Sequence, residues 1–217
     1  MRTNLPVSQH EYQFPDGETL LSTTDTDSHI TYANAAFIRT SGFDINELAG
    51  QPHNMVRHPD MPTEAFADMW KSLKEGQSWR ALVKNRRKNG DHYWVCANAA
   101  PMRRNGKVTG YLSVRTKPDR AEVAATEALY ARFKGGNAKG LAFHRGLIIR
   151  TGLLSWTNAL QLLPAAWRVR LALLGVASAM GAGMLLSGLG GSALATMGLA
   201  SALSLFCLLY TSDAADE

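Results

Sequence analysis

The side chains best suited to bind an anion lie together in one loop, residues 50–62, which contains three prolines. Proline fixes its own φ and restricts the residue before it, so this stretch is predicted to be irregular. Arg57 can direct paired hydrogen bonds onto phosphate oxygens, and His53 or His58 can donate to the same oxygens. Asp60 is expected to brace the loop. A surface ion pair between Arg57 and Asp60, beside ordinary loop histidines, is the alternative.

A second group of candidate residues alternates along one predicted strand. Trp79, Ala81, Val83 and Asn85 share one face of this strand because successive side chains point to opposite faces. Their face offers an aromatic wall, small spacers and an amide. Since an amide both donates and accepts hydrogen bonds, Asn85 suits the edge of a ring that carries C=O and N–H groups. The alternative is an ordinary strand residue ahead of a hairpin.

The sequence shows no pattern typical of a catalytic or metal site. No Ser-His, Cys-His or paired-carboxylate arrangement stands out. Cys96 and Cys207 are the only cysteines, which is too few for a disulfide framework or a cysteine metal site. The net charge of +5 could suggest nucleic acid, but most of the excess lies beside an apolar C-terminal tract. We therefore predict no enzyme activity, no metal and no nucleic-acid partner.

The elements that must position these residues begin with two strands and two helical stretches. Residues 19–32 read as two short strands around a turn rich in Asp and Ser. Residues 33–48 have helical character up to a Ser-Gly break, and Asn34 at the first turn is either a helix cap or a second polar contact to a ligand. Helix resumes after Pro62, where the spacing of Phe66 and Trp70 predicts core positions more than a ligand wall.

Two Asn-Gly pairs, Asn89-Gly90 and Asn105-Gly106, then predict three antiparallel strands. Asn-Gly is the strongest short hairpin signal, because a type I′ turn needs positive φ at both central residues. The result is an α+β fold, an antiparallel sheet with helices on one face. A connector helix is predicted over residues 119–134, ending at a Gly-Gly pair.

The C-terminal tract is apolar over a length that exceeds one membrane crossing. No Asp, Glu, Lys or Arg occurs from Leu171 to Ser212, and a crossing needs ~20 residues. A Gly-rich break at 188–191 divides the tract, so we predict an α-helical transmembrane hairpin over residues 168–206. Arg168 and Arg170 mark its cytoplasmic side. A single long tilted helix is the alternative.

The last eleven residues, 207–217, look like a translated sequencing-library adapter. We expect the natural sequence to end near Phe206 and Cys207 not to be native. An ordinary polar C-terminus is the alternative. At the other end, the opening stretch has no apolar region or small-residue cleavage pattern, so it does not read as a secretory signal.

Three segments together carry a resemblance to a known family. GQPHNMVRHPDMP at residues 50–62, AFADMW at 65–70 and VKNRRKNGDHYWV at 83–95 are similar to the PAS domain of bacterial aerotaxis receptors. The resemblance spans residues 19–117, and it continues in arrangement through a linker at 118–167 and the predicted hairpin. Residues 1–18 then form an N-terminal cap.

The resemblance implies a PAS domain that holds FAD noncovalently and reports its redox state to a C-terminal signalling half. Cofactor contacts are then expected from the loop, the helices and the sheet: Asn34, His53, Arg57, His58, Asp60, Phe66, Trp70, Trp79, Asn85 and Tyr93. The receptor is expected in the bacterial inner membrane as a homodimer, with the PAS domain cytoplasmic. Chemotaxis signalling proteins are its expected partners, through an output half that this chain lacks.

Two other functions fit the same fold. The PAS domain could hold haem or another small ligand, with His53, His58 or His92 as formal axial ligands, or serve only in dimerisation. The chain could also belong to a flavin-dependent membrane oxidoreductase. That function needs a substrate pocket beside the ring and an acid–base pair, which the sequence does not display.

Overall fold

The structure is a computed structural model that describes residues 4–158, 162–163 and 165–186. The chain divides into two compact units, with the boundary between Gly152 and Leu153. The elements of the first unit are β1 Leu20–Thr24, β2 Ile30–Ala33, α1 Ala35–Ser41, α2 Ile45–Leu48, a 3₁₀ turn His53–Val56, α3 Thr63–Lys74, β3 Trp79–Arg86, β4 His92–Arg104, β5 Lys107–Thr116, α4 Arg120–Lys134, β6 Leu141–His144 and β7 Leu147–Arg150. A 3₁₀ helix, Gly152–Asn158, and α5, Ala165–Leu186, follow.

Five strands form one antiparallel sheet in the order β2-β1-β5-β4-β3. This confirms the α+β prediction of two early strands followed by a three-strand meander. The β4–β5 turn is the type I′ turn predicted from Asn-Gly, since Asn105 has φ 51° and Gly106 has φ 75°. In this order β5 is the central strand and lies between β1 and β4.

The other Asn-Gly pair lies in a wider connection than a two-residue hairpin. Arg86 pairs with His92, which leaves residues 87–91 as the loop. Arg87 N–H donates to the carbonyl of Asp91 at 2.7 Å, and Gly90 N–H donates back to the carbonyl of Arg87 at 3.0 Å. The N-terminal segment packs against this loop, where Ser8 N–H donates to the carbonyl of Gly90 at 2.9 Å.

The sheet carries helices on both faces: the helices predicted between the early strands and the meander lie on one face, and the predicted connector helix, α4, covers the other. Helices α1–α3 cover the inner face, which we define by Trp79, Ala81, Val83 and Asn85 of β3. Helix α4 packs on the outer face, where Tyr130 O–H donates to the carbonyl of Leu82 at 2.7 Å. The connector helix is present as predicted, with Asp119 as its N-cap. The buried residues of α4 are Val123, Tyr130 and Phe133, and Tyr130 is the one that bonds to the sheet.

A short hairpin follows α4 within the stretch predicted to be a linker. Strands β6 and β7 pair from Leu141 with Arg150 to His144 with Leu147. Arg145 and Gly146 form the turn, with φ of 51° and 86°. Residues 141–150 are therefore an ordered β-hairpin on the first unit rather than a plain connector.

Helix α5 covers the first part of the apolar tract. In the residues that the structure describes, no helix combines the length and the apolar character that a bilayer crossing needs. The transmembrane hairpin predicted over 168–206 is thus not supported by the fold. Residues 187–217, which include its second half and the segment predicted to be an adapter, lie outside the described residues.

Candidate functional site

A cavity of about 170 Å³, partly open to solvent, lies between the inner face of the sheet, α3 and the 3₁₀ turn. Its lining comes from six elements and two loop residues: Ser22, Thr24, Ser28, His53, Asn54, Val56, Arg57, Phe66, Met69, Trp70, Leu73, Trp79, Val83, Asn85, Ala97, Ala99, Tyr111, Leu112, Ser113 and Arg115. None of these described lining residues carries a carboxylate. Six of the ten residues predicted to form the site are among them.

The strand register explains how the inner face gathers polar groups. Ser22 of β1 lies opposite Ser113 of β5, and Thr24 lies opposite Tyr111. Ala99 of β4 lies opposite both Ser113 and Trp79 of β3. Because side chains alternate along each strand, these residues share one surface. The small alanines of β4 leave the room that the cavity occupies.

Asn85 presents a buried amide to the cavity. The residue is only 4% exposed, and its Nδ2 makes no well-formed hydrogen bond in the described part of the chain, although it lies beside the hydroxyl of Tyr93, which also lacks one. An unsatisfied buried donor costs about 1–3 kcal/mol. The backbone of Asn85 also bridges that of Arg57, which fixes the loop beside the strand. A ligand with an acceptor at this position would remove the penalty.

Arg57 lies over an aromatic ring rather than in an ion pair. Its guanidinium carbon is 3.7 Å from the centroid of Phe66, a cation–π contact. Its Nη2 donates to the carbonyl of Pro62 at 3.5 Å, while its buried Nε has no partner among the described residues. Desolvation lowers the pKa of Arg57 to about 10. The alternative of an Arg57–Asp60 ion pair is not observed.

Arg115 is a site residue that the sequence reasoning missed. It is buried on the inner face of β5, where Nη1 donates to Ser22 Oγ at 3.0 Å and Nη2 lies 2.7 Å from His53 Nε2. Burial lowers the pKa of His53 to about 3, and the charge on Arg115 adds to this effect. His53 is therefore neutral, and its Nε2 accepts from the guanidinium. Period-2 alternation through Tyr111 and Ser113 could have placed Arg115 on the inner face.

Burial also lowers the pKa of Arg115, to about 10. This cation is shielded from water, and no carboxylate lies beside it among the residues that line the cavity. The Arg115 guanidinium also lies beside an aromatic ring, with its carbon 5.0 Å from the centroid of Phe37. Two cations, Arg57 and Arg115, thus line a cavity that has no anion of its own. This favours a ligand that carries negative charge or strong acceptors.

Aromatic side chains form the walls. Trp79 is 1% exposed and donates its indole N–H to Asp68 Oδ2 at 2.9 Å. Trp70 meets Tyr111 edge to face, with ring centroids 5.4 Å apart. Phe66 and Trp70 were predicted to be core residues by spacing, and they are partly buried cavity walls. Flat apolar walls with polar groups at one end suit an aromatic ring system.

Four of the predicted site residues do not line the cavity. Asn34 is the cap of α1, as one of its two interpretations predicted: its Oδ1 accepts from Phe37 N–H at 2.9 Å and its Nδ2 donates to the carbonyl of Thr19 at 2.8 Å. Tyr93 is fully buried, and its ring meets Phe14 edge to face at 6.5 Å.

His58 and Asp60 brace the loop from the side away from the cavity. His58 is fully buried, and its Nδ1 accepts from Asp60 N–H at 3.1 Å. Burial, reinforced by the charge on Lys84, lowers the pKa of His58 to about 4. The carboxylate of Asp60 pairs with Lys84 at 3.3 Å and with Lys134 of α4 at 2.7 Å. These contacts agree with the bracing role expected for Asp60.

Metal-ligating side chains do not gather in the described residues, where no group of three or more His, Cys, Asp or Glu could hold an ion. Of the three histidines considered as haem ligands, His53 reaches the cavity, and its Nε2 is engaged by Arg115. His58 and His92 pack on each other, with ring centroids 5.7 Å apart. Neither of them lines the cavity.

The chain is similar to a family model and to several characterised proteins. Residues 30–115 match the family model described as "PAS fold". The chain is 53% identical over 164 residues to the aerotaxis receptor of Escherichia coli K12, an alignment that covers 76% of this chain and 32% of that protein. It is 31% identical over 96 residues to a nitrogen fixation regulatory protein of Klebsiella pneumoniae, covering 44% of this chain and 19% of that protein.

Among solved structures, a light-oxygen-voltage domain studied with a flavin analogue is 25% identical, with a TM-score of 0.45, covering 50% of this chain and 82% of that one. The chain spans about a third of the length of the E. coli receptor. Residues 30–115 match the PAS family model and lie in a domain with an antiparallel sheet, so this domain has a PAS-type α+β fold. The chain is similar to an aerotaxis receptor.

Proposed function

We propose that this chain is the sensory part of a redox-responsive signalling receptor, and that its PAS domain holds FAD in the cavity. The observation that carries the proposal is the cavity lining. It combines aromatic walls, a buried Asn85 amide whose Nδ2 makes no well-formed hydrogen bond, and two arginines without a carboxylate. The similarity to an aerotaxis receptor supports a sensory role for the domain.

The residues fit the chemical parts of FAD. Trp79 and Trp70 would face the flavin ring, and the amide of Asn85 would meet its polar edge. Arg115, held by His53 and Ser22, supplies a second polar contact at the buried end. Arg57 is less deeply buried, so we assign it to the pyrophosphate. When bound, FAD supplies a ring whose hydrogen-bonding pattern changes with its oxidation state.

Signalling, rather than catalysis, is the function proposed for this site. A change of hydrogen bonding at the ring edge would require Asn85 to rotate or lose a bond. One buried hydrogen bond is worth about 1–3 kcal/mol, which shifts a two-state ratio roughly 5- to 150-fold. Such a shift is large enough to signal without large motion.

The remaining parts of the proposal concern the setting of the domain. The similarity to the aerotaxis receptor supports a homodimer whose output half, beyond this chain, contacts chemotaxis signalling proteins. We propose the bacterial inner membrane as the location, with the PAS domain in the cytoplasm. The support for a membrane tether is the uncharged sequence from Leu171 to Ser212 together with Arg168 and Arg170 before it.

Asn85→Ala tests the assignment of the ring edge. We expect the variant to lose FAD about 10-fold more readily than the wild type, because the amide contact to the ring is gone. Asn98→Ala is the matched control, since Asn98 is an exposed asparagine on the outer face of β4. Flavin absorbance after gel filtration gives the occupancy of each protein. Equal FAD retention by wild type and Asn85→Ala would refute the assignment.

A further inference from the structure

The β6–β7 hairpin is attached to the PAS domain at its turn by a single carboxylate. Gly146 N–H donates to Asp68 Oδ2 at 2.7 Å, and Arg145 N–H donates to Asp68 Oδ1 at 3.0 Å. The same Oδ2 accepts the indole N–H of Trp79 at 2.9 Å. Asp68 does not line the cavity, but Trp79 does. One carboxylate thus joins the cavity wall to a hairpin outside the cavity.

The turn also presses against the backbone of the edge strand. A Cβ at Gly146 would lie 1.9 Å from the carbonyl oxygen of Arg80, the residue after Trp79. The φ of Gly146 is 86°, in the left-handed region that glycine tolerates. Both the space and the conformation therefore require glycine while the hairpin is docked.

The first strand of the hairpin, β6, makes a second contact. Phe143 packs on Phe133 and Tyr130 of α4, with ring centroids 4.7 Å and 5.9 Å apart. Tyr130 in turn donates to the carbonyl of Leu82 on β3. The hairpin therefore contacts the helix that follows the sheet as well as the strand that forms the cavity wall.

We infer that the β6–β7 hairpin responds to changes of the ligand in the cavity, through the hydrogen bond from the Trp79 indole to Asp68. This inference rests on the proposed binding of FAD for its trigger. A ligand that moves the indole of Trp79 changes a bond to Oδ2, the oxygen that also holds Gly146. The docking of the turn then shifts, and the change reaches α4 through Phe143. By linkage, undocking the hairpin changes the affinity for the ligand by the same factor.

Amide exchange at the turn tests the inference directly. In the full chain, we expect the exchange rates of the Arg145 and Gly146 amides to differ between the apo and FAD-loaded protein by roughly 5- to 150-fold. Asp68→Asn should exchange faster in both states and lose the difference, because an amide cannot accept all three N–H groups. Equal rates in apo and flavin-loaded wild type would overturn the inference.

A second measurement needs no ligand. Gly146→Ala should raise the exchange rate of the Trp79 indole N–H in the apo chain at least 5-fold. The turn can then no longer pack against Arg80, so the turn amides no longer hold the Asp68 carboxylate in the orientation that accepts the indole N–H. Gly106→Ala is the matched control: Gly106 has a φ of 75° in a similar turn, but a Cβ there meets nothing within 4 Å.

The two measurements separate this inference from the proposed function. A chain that binds no FAD but shows the Gly146→Ala effect would refute the proposed ligand and support the coupling. A chain that binds FAD but shows neither effect would support the ligand and overturn the coupling. An effect of the same size in Gly106→Ala would also overturn it, since strain in a turn would then be the cause.

Discussion

Replacing Arg115 by methionine should weaken FAD binding while leaving the empty protein almost as stable as before. Arg115 is buried at 4% exposure, and burial lowers its pKa from 12.5 to about 10. That shift corresponds to a penalty of about 3 kcal/mol on the charged form, at about 1.4 kcal/mol per pKa unit. Methionine removes this penalty and keeps most of the volume.

The substitution also removes two hydrogen bonds, to Ser22 Oγ and His53 Nε2, each worth about 1.5 kcal/mol for a charged donor. Ser22 and His53 are not left without a hydrogen bond, because Ser22 Oγ and His53 Nε2 lie 3.2 Å apart and can bond each other. The gain and the loss nearly cancel. We expect the free energy of unfolding of the apo chain to change by less than about 1 kcal/mol.

The effect on FAD is different, since the ligand loses a charge-assisted contact. A loss of about 1.5–3 kcal/mol weakens binding roughly 10- to 150-fold. Urea unfolding with and without FAD measures both quantities: at a ligand concentration of about 100 Kd, FAD should stabilise the wild type by about 2.7 kcal/mol and Arg115→Met by about 1.4 kcal/mol or less. Arg104→Met, at an exposed position on β4, is the control. Unchanged FAD stabilisation, or a loss of more than about 3 kcal/mol in the apo chain, would refute this reasoning.

Two further predictions concern His53 and Gly110. His53 has a pKa of about 3 in the fold against 6.5 ordinarily, so the unfolded chain binds its proton more readily and stability falls as the pH drops from about 6.5 towards 3. Urea unfolding should show a loss of about 2 kcal/mol from this group between about pH 7 and pH 5, absent in His53→Gln; an equal loss in both proteins would contradict it. In thermal or urea unfolding, Gly110→Ala should lose at least about 3 kcal/mol, because its Cβ would lie 2.1 Å from the carbonyl oxygen of Thr24. Gly106→Ala should lose only about 1 kcal/mol, and equal losses would show that this close approach is relieved without cost.

Local periodicity predicted one wall of the cavity correctly. Trp79, Val83 and Asn85 lie on the inner face as strand alternation requires, and all three line the cavity. The type I′ turn at Asn105-Gly106 was predicted because its φ requirement is local to two residues. Properties fixed by neighbours in the chain were therefore accessible from the sequence.

Contacts across the sheet were not accessible in the same way. Arg115 meets Ser22 because β5 pairs with β1, a register between segments 93 residues apart. The sequence indicated cofactor-binding residues on the loop, but His58 does not line the cavity. Its Nδ1 accepts from the backbone N–H of Asp60 instead. The β6–β7 hairpin was missed since its strands have only four residues each, although Arg145-Gly146 between two apolar runs was a usable turn signal.

The central claim is that the PAS cavity holds FAD, and an absorption spectrum of the purified full chain tests it most directly. We predict flavin absorption bands, either as purified or after incubation with FAD, and release of FAD rather than FMN on denaturation. A protein that stays colourless after incubation with FAD, or one that shows a haem Soret band, would contradict the claim.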